Sequence, residues 1–496
     1  MDVGTQNDQT NHHSTFLFYS SAFLLIFAPL IRGGNRPLAL MLIELLSIFM
    51  LYFLIVKPEF LRHLNRWQMG ILIVFVAYPL LYLVPIPVEI WQQLPGRELY
   101  AQVVFLLDTA PSWMPLSLHE QSTQMTWLAS LPAVILFAAL LGLPTRQLYR
   151  LVLLMMILCL SQALLGLIQY GSGSESFWRL GMKDTVNAVG SYANRNHFAG
   201  LLEMFIPIGI GLMIARISFH QTIVNTQSTR KQRLSEWFQG HGNFVLYFAF
   251  ILTILLLAVV FSRSRTGLSV VMLGIFLSAM IFIKRIGGQH GSHFISVIIF
   301  LAFIFAAEIG LAPVLQRFSL DSAMEDARWT LFQTTFQAIG EFFPLGSGPG
   351  TFTHVYHAFQ PIEISARVMH AHNDYLEWFM ESGLIAFVLI IGFVLLYIRQ
   401  FALLLMIKRW SLFNFVQAGA GIGILSMLLH SFTDFNLHIP ANALYFAFLC
   451  ALLVHKEDQS MQPVLMKPKH RVRQNQPDII SRKLKPKPDV KNPFSE

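Results

Sequence analysis

Long apolar runs recur along the whole chain and are separated by shorter polar segments. A membrane-spanning helix needs about 20 mostly apolar residues, so each run of that length predicts one span. Twelve such runs occur, at residues 16–31, 37–56, 69–87, 125–143, 149–170, 198–218, 243–261, 266–283, 294–312, 383–405, 411–429 and 440–454. The pattern therefore predicts an all-α, polytopic membrane protein of about twelve transmembrane helices.

The composition supports this prediction. Hydrophobic residues make up 54% of the 496 residues and charged residues only 12%, which is about half the charged share of a typical soluble domain. This excludes a soluble enzyme and a disordered chain. The two cysteines, Cys159 and Cys450, lie inside apolar runs, so neither a disulfide framework nor a four-cysteine metal site is available. The segment before Phe16 has no Lys or Arg, and we interpret the first apolar run as a retained span.

The basic residues predict the orientation, because short cytoplasmic loops are enriched in Lys and Arg. An even number of spans places residues 1–15 and the tail 456–496 on one side, which we assign to the cytoplasm. The proline-broken basic tail is expected to be disordered and to contact anionic lipids, without a nucleic-acid partner. Arg32 and Arg36 are exceptions to the rule. The basic loops on the cytoplasmic side contain Lys57, Arg62, Arg66, Arg146, Arg150, Arg230, Lys231, Arg233, Lys284, Arg285, Lys408 and Arg409.

The opposite, periplasmic face has two long segments, residues 88–124 and 313–382, and the membrane domain as a whole spans residues 16–455. The cations on this face are almost all arginine, which grips phosphate through a rigid bidentate fork. The bias indicates a phosphate-bearing ligand, although snorkelling to the interface is the alternative for any single arginine. The set comprises Arg32, Arg36, Arg97, Arg179, Arg195, Arg263, Arg265, Arg317, Arg328 and Arg367, with Lys183 as the single lysine.

The segment 313–382 is the predicted catalytic loop and is partly helical. A helix is expected to start at Asp326, to include Arg328 and to end near Gly340. The glycine-rich stretch 344–352 follows. Its alternating glycines allow tight turns and exposed amides that could cradle an anion, but the lack of a following lysine excludes a Walker motif, and a simple turn is the alternative.

The densest cluster of ionisable residues is His370-Ala371-His372-Asn373-Asp374-Tyr375-Leu376-Glu377. A histidine can act as the general base that activates a hydroxyl. For the two carboxylates we favour a helix N-cap at Asp374 with Glu377 as its capping-box partner. A His-x-His-x-Asp metal site is the third interpretation, and the absence of a helical His-x-x-x-His pair argues against it.

Two shorter signals lie on the same predicted face. Residues 194–198 (Asn-Arg-Asn-His-Phe) precede the sixth span, and residues 262–267 (Ser-Arg-Ser-Arg-Thr-Gly) join the seventh span to the eighth. Two arginines in so short a connection are costly at the membrane boundary unless they find anions or water. Lipid phosphate or solvent would be a sufficient partner for either signal alone.

In chain order the five motifs are residues 194–198, 262–267, Arg328-Trp329, 344–352 and 370–377. Their ordered occurrence resembles the O-antigen ligase and polymerase superfamily. The resemblance covers about residues 190–385 in detail. It implies a glycosyltransferase of the bacterial inner membrane that takes a glycan from undecaprenyl diphosphate and transfers it to an acceptor hydroxyl at the periplasmic face. It also implies that no metal or other cofactor takes part.

The same resemblance implies roles for individual residues. His372 is the expected base, and Arg195, Arg265 and Arg328 are expected to hold the donor diphosphate. Arg265 and Arg328 count as catalytic because the departing diphosphate gains negative charge. Direct displacement needs no covalent intermediate, so we expect inversion at the anomeric carbon. Weaker candidates are Arg263 for the diphosphate and His370, His197, Asn373, Asp374 and Glu377 elsewhere in the site.

The sequence leaves the acceptor open. Within the superfamily a ligase to lipid A-core, a polymerase of O-antigen or exopolysaccharide and a protein O-oligosaccharyltransferase share the donor and differ in the acceptor hydroxyl. We favour the ligase type. Membrane lipids are expected as further partners of the protein. A multi-span transporter or flippase of lipid-linked glycans is the alternative from another class, although repeated halves and polar residues at mid-bilayer depth are not evident.

Overall fold

The structure is a computed structural model and describes residues 3–56, 64–106, 111–172, 176–181, 187–221, 243–285 and 322–458. Its helices are named in chain order. They are α1 Val3–Phe27, α2 Pro37–Val56, α3 Arg66–Leu81, α4 Val88–Trp91, α5 Glu98–Phe105, α6 Glu120–Leu141, α7 Thr145–Gly171, α8 Arg195–Gln221, α9 Asn243–Ser262, α10 Arg265–Ile283, α11 Ser322–Phe342, α12 Phe352–Val355, α13 Asp374–Met406, α14 Leu412–His430 and α15 Pro440–Val454.

Eight helices in the described part of the chain are long and apolar enough to cross a membrane: α2, α6, α7, α8, α9, α10, α13 and α14. Helix α3, helix α15 and the Ser14–Phe27 part of α1 are shorter and also apolar. Eleven of the twelve predicted spans coincide with these helices. The ninth, residues 294–312, lies outside the described residues, so the total of twelve stays a prediction. The protein is a multi-pass helical membrane protein.

Helix α8 lies at the centre of the bundle and packs against α14, α9, α10 and α7. Nearly all of its membrane-spanning residues are buried. Its closest partner is α14, where a Cβ on Gly419 would lie 2.6 Å from the Cα of Ile208. Small residues at such a crossing let two backbones approach closely, which is how apolar helices associate without a hydrophobic driving force. The crossing fixes the start of α8 relative to the end of α14.

The predicted loops 88–124 and 313–382 contribute to one compact module outside the spans. Strand β1, Pro85–Pro87, pairs antiparallel with strand β2, Trp113–Pro115, a small departure from the all-helical prediction. Helix α11 begins at Ser322, ahead of the predicted start at Asp326, and ends at Phe342. Its apolar side packs with Phe352, Tyr356, Ala371 and Met380, which form a small second core.

A buried arginine joins the two halves of this module. The Arg97 side chain is fully buried and donates hydrogen bonds to the carbonyls of Pro95, Leu116 and Gly346. Its guanidinium also lies over the ring of Phe342, 5.9 Å from the centroid. Burial lowers the pKa of Arg97 to about 10. Arg97 therefore has a structural role, and the phosphate-ligand interpretation of the arginine bias does not extend to it.

Arg179 likewise serves the fold. It is buried and donates to the carbonyls of Gln169 and Ser172 at the end of α7. Satisfying helix-end carbonyls with a guanidinium is a common way to close a helix C-terminus. Two of the arginines on the predicted periplasmic face thus have partners within the protein.

The two ends of the bundle differ in chemistry. At one end the starts of α8, α10, α13 and α15 meet the ends of α9 and α14. At the other end Arg285 donates to the carbonyls of Leu405 and Ile407, and Asp458 accepts from the backbone of Thr145. The first end carries the candidate site described next.

Candidate functional site

Three helix N-termini lie together at the site end. The starts of α8 and α10 are in close contact, since a Cβ on Gly267 would lie 2.5 Å from that of Ala199. Thr266 at the start of α10 and Thr433 in the segment after α14 form a hydrogen bond of 3.0 Å between their hydroxyls. The start of α13 bonds to the same segment, through the amide of Asp374 and the carbonyl of Ser431. Backbone N–H groups at helix N-termini favour bound anions.

Asp434 is the centre of the site. Its carboxylate is completely buried and lies 3.3 Å from Nδ1 of His372 and 3.8 Å from Nε2 of His197. The side-chain amide of Asn196 donates to its second oxygen. Burial alone raises the pKa of Asp434, but the two histidines hold the pKa well below its usual value. The carboxylate is therefore ionised and faces both imidazoles.

His372 presents one ring nitrogen to Asp434 and is partly exposed to solvent. Its Nδ1 is buried 3.3 Å from Asp434, a contact that is not aligned as a hydrogen bond, while its side chain is 34% exposed. A carboxylate at Nδ1 selects the tautomer with the proton on that nitrogen and leaves the lone pair of Nε2 for a substrate. The backbone of His372 has φ of +50°, a conformation that non-glycine residues adopt at a cost of about 1–3 kcal/mol and that clusters at functional sites.

A second histidine–carboxylate cluster lies beside the first. Nδ1 of His370 is 2.8 Å from Glu377, and Nδ1 of His438 is 2.7 Å from Asp374. Nε2 of His438 also lies 3.4 Å from Glu377. Because both nitrogens of His438 face carboxylates, both must act as donors, so the ring is an imidazolium. Burial alone lowers the pKa of His438, but Glu377 and Asp374 raise it to about 10.

Phe435 separates the two clusters and orients three imidazoles. Its ring stacks on His370 at a centroid distance of 4.1 Å and meets His372 and His197 edge-on at 4.9 and 4.7 Å. Such aromatic contacts restrict ring rotation. His197, His370 and His372, three of the predicted site residues, therefore converge on one phenylalanine that the sequence did not single out.

The capping interpretation of Asp374 and Glu377 is wrong. The N-cap of α13 is Asn373, whose side chain accepts hydrogen bonds from the amides of Tyr375 and Leu376. Asp374 instead accepts from Ser431 and His438, and Glu377 accepts from His370 and the amide of Ala371. Because Asn373, one residue before Asp374, caps the helix, both carboxylates are available to accept hydrogen bonds from histidine.

The glycine-rich stretch is a turn, as one interpretation predicted. Gly346, Gly348 and Gly350 all have positive φ, which only glycine adopts freely. The acceptor that this turn holds belongs to the protein: the backbone N–H of Phe352 donates to the buried carboxyl group of Glu381 at 3.0 Å. The turn therefore anchors α13, whose first residues hold the histidine clusters.

The predicted arginines occupy different surroundings. Arg195 opens α8 directly before Asn196, and Arg265 opens α10 directly before Thr266, so both guanidinium groups start from the helix N-termini beside Asp434. Arg263 is engaged by Tyr170, with its guanidinium 5.5 Å from the ring centroid and a hydrogen bond of 3.4 Å to the hydroxyl. Arg328 lies on α11, one turn before Leu331, which belongs to the same core as Ala371. The four roles stay predictions.

Three side chains lie close enough to share a metal ion. The ligand atoms of His370, Glu377 and His438 all fall within 4.8 Å of one another. They are also mutually satisfied, since the carboxylate of Glu377 lies between an imidazolium and a second imidazole. The hydrogen-bonded arrangement needs no ion, and the expectation of a metal-free mechanism stays a prediction.

Sequence reasoning missed Asp434, Phe435 and His438. They belong to residues 430–438, the short connection between the eleventh and twelfth predicted spans. The signal was present, because the topology put this loop on the periplasmic side and it contains two histidines and one aspartate within nine residues. The segment was not recognised because it is distant in sequence from the other motifs.

The charged state of His438 predicts a specific loss of stability at high pH. A histidine pKa raised by folding stabilises the protein fully below its ordinary value, about 6.5, and this contribution disappears as the pH rises towards 10. We expect the melting temperature of the purified protein to fall between pH 6.5 and 10, and the fall to be smaller in His438→Gln. Equal pH dependence of the variant and of wild type would contradict the charged assignment.

Residues 249–391 match the model of a protein family described as O-Antigen ligase. None of the curated proteins matches the chain. The matched region, less than a third of the chain, includes Arg263, Arg265, Arg328, His370 and His372. Arg195 and the segment 430–438 lie outside it, and the segment joins the site through the contacts of Asp434, Phe435 and His438 described above.

Proposed function

We propose that this protein, a membrane protein whose residues 249–391 match the O-Antigen ligase family model, transfers a glycan from undecaprenyl diphosphate to an acceptor hydroxyl. The observation that carries the proposal is the pair formed by His372 and the buried, ionised Asp434. This pair lies beside two helix N-termini that begin with Arg195 and Arg265. A base and an anion site are the two elements that such a transfer requires.

On the acceptor side, Nε2 of His372 takes the proton of the acceptor hydroxyl while the oxygen attacks the anomeric carbon of the donor. Asp434 keeps the imidazole in the required tautomer and stabilises the imidazolium that forms. A positioned base of this kind contributes about 10²–10⁴-fold to the rate. Attack from the face opposite the diphosphate gives inversion and needs no covalent intermediate.

On the donor side, the bond between the anomeric carbon and the diphosphate oxygen breaks, and the bonding electrons leave with the diphosphate. Arg195, Arg265 and Arg328 hold this group and stabilise its growing negative charge, assisted by the N-terminal amides of α8 and α10. Fixed guanidinium groups do this without reorganisation. No metal or other cofactor is assigned to the reaction.

We place the site on the periplasmic face of the bacterial inner membrane, with residues 1–15 and 456–496 in the cytoplasm. The basic loops support this orientation. Arg285 and Arg150 belong to the end of the bundle away from the histidine clusters, in agreement with it. The long segments 88–124 and 313–382 then form the periplasmic part of the membrane domain 16–455.

The acceptor remains part of the proposal. A ligase to lipid A-core is our first choice, and a polymerase or a protein O-oligosaccharyltransferase are the alternatives with the same donor. A transporter of lipid-linked glycans is the alternative from another class. The concentration of histidines, carboxylates and arginines at one end of the bundle favours chemistry at a surface over passage through the membrane.

Reconstitution separates these possibilities. The purified protein is placed in liposomes with an undecaprenyl-diphosphate-linked glycan and a hydroxyl acceptor, in the presence of a chelator. A new glycosidic product with the inverted linkage supports the proposal. Glycan that crosses the bilayer without bond formation would identify a transporter, and activity restored only by added divalent cation would reject the metal-free mechanism.

The proposed arginine roles predict that substitutions which conserve the charge still reduce donor use. Lysine at Arg265 or Arg328 keeps the charge but removes the bidentate fork, so we expect donor use to fall by about tenfold or more in kcat/KM. Arg150→Lys, on an exposed arginine far from the site, is the matched control. Unchanged donor kinetics in both site variants would rule out bidentate contact with the diphosphate.

A further inference from the structure

Four side chains that can carry positive charge converge on the outer surface of the periplasmic module, away from the residues assigned to the reaction. We call this group the His/Arg patch. It is formed by His119, His354, His357 and Arg367. The last three are exposed, so the patch is open to solvent.

The patch is built from both segments of the module. His119 caps the start of α6, and His354 lies in α12. Their rings are parallel within 6° at a centroid distance of 3.9 Å. Nδ1 of His119 accepts from the amide of Ser122, which fixes its ring and directs Nε2 as a donor away from the helix. The stacked pair is therefore held in one orientation.

Hydrogen bonds bring the other two members to the pair. His357 donates to the amide oxygen of Gln360, and the amide nitrogen of Gln360 donates to the carbonyls of Ile364 and Ala366. These bonds fold residues 361–366 back on themselves, so that Arg367 returns towards His354. Thr353 completes the closure through a bond of 3.0 Å to the carbonyl of Met369.

The neighbours of His354 oppose its protonation. Burial lowers the pKa of His354, and His119, Arg367 and His357 lower it further. Within the described part of the chain no carboxylate forms an ion pair with these groups. An anion placed among them would favour the imidazolium form of His354 and accept hydrogen bonds from that ring and from Arg367.

We propose that the His/Arg patch binds an anionic group, a phosphate or a carboxylate, carried by the acceptor glycan. This inference rests on the proposed transfer function. Arg367 and His372 are five residues apart on one segment, a separation of at most about 18 Å for extended chain. A short oligosaccharide anchored by its charge at the patch reaches His372 with its hydroxyl. The faces of the stacked imidazoles add a flat surface for a sugar ring.

Binding at the patch is coupled to proton uptake. A bound anion stabilises the imidazolium form of His354, so its pKa rises from the lowered value of the free protein. The complex then holds more protons than the free protein, and affinity for an anionic acceptor increases as the pH falls. Neutral acceptors lack this dependence.

The kinetic test compares Arg367→Gln and His354→Gln with Arg150→Gln as control. Two acceptors are used that differ only in one phosphate group. We expect each patch variant to raise KM for the phosphorylated acceptor about tenfold, the typical effect of one charge-assisted hydrogen bond. The kcat, the donor KM and the KM for the neutral acceptor should stay unchanged. Equal effects on both acceptors would overturn the proposal.

A binding measurement tests the patch without any reaction. Histidine-labelled protein in neutral nanodiscs is titrated with inorganic phosphate and followed by NMR, with His119 and His354 assigned through their Gln variants. Phosphate should raise the apparent pKa of His354. No response would overturn the site, and a response confined to phosphatidylglycerol nanodiscs would reassign it to lipid headgroups. Failure of the transfer function itself appears separately, as no glycosidic product in wild type.

Discussion

Replacing His372 with alanine should lower transfer by about 10²–10⁴-fold while the protein still inserts, folds and binds donor. The reason is geometric, because Nε2 of His372 is the nitrogen left free when Nδ1 faces Asp434 at 3.3 Å. Initial rates of glycoside formation in proteoliposomes measure the effect, and melting temperature reports folding. The acceptor hydroxyl would then have to lose its proton to water.

Two other histidines make this prediction specific. His370 also pairs with a carboxylate, Glu377, and is the rival candidate for the base. We expect His370→Ala to retain clearly measurable transfer, since its role is to support the segment that carries His372. His455→Gln, at the opposite end of the bundle, should be neutral. Abolished transfer in His370→Ala with near-normal turnover in His372→Ala would exchange the two roles.

The membrane fold was predictable because hydropathy acts locally. Each apolar run of about 20 residues must satisfy its own backbone in the bilayer, so a helix is required wherever such a run occurs. Most helix bounds agree with the predicted spans to within six residues, but α1 begins thirteen residues and α13 nine residues before the predicted start. The β1–β2 pair was not predictable, because a three-residue ladder between prolines at 85 and 115 depends on contacts across the module.

The candidate site was only half predictable. His370, His372, Arg195 and Arg265 lie in local motifs whose composition differs from a membrane helix, so they stand out in the sequence. The partners that define their chemistry come from elsewhere in the chain. Which carboxylate faces which histidine depends on how α14 crosses α8, and the pairing of Asn373 with the helix start freed Asp374 and Glu377 from capping.

The same dependence on distant contacts applies to the arginines of the predicted periplasmic face, whose individual roles the sequence does not distinguish. The sequence treats all arginines on the predicted periplasmic face alike, yet Arg97 and Arg179 donate to backbone carbonyls and Arg263 contacts Tyr170. Those partners lie up to 249 residues away in sequence. Arg97 and Arg179 thus have structural roles that the sequence pattern does not distinguish from ligand binding.

Asp434→Asn should reduce kcat by about 10²–10⁴-fold with little change in acceptor KM, because asparagine keeps the shape but removes the charge that the imidazolium needs. An amide can also donate to Nδ1 of His372 and so select the tautomer whose Nε2 already carries a proton. His197 and Asn196 lose the same carboxylate. Rates measured in proteoliposomes, with Asp458→Asn at the opposite end as matched control, test this expectation.

A double-mutant cycle decides whether Asp434 acts through His372 or only supports the fold. If the carboxylate works through the imidazole, the variant that combines Asp434→Asn with His372→Ala should transfer no more slowly than His372→Ala alone. A purely structural carboxylate would give losses that multiply, together with a lower melting temperature in Asp434→Asn. Because folding lowers the pKa of Asp434, its stabilising effect is present above the ordinary aspartate pKa and is lost as pH falls through the folded value. The melting temperatures should therefore be compared at neutral pH. Losses of transfer rate that multiply in the double variant would refute the assigned role.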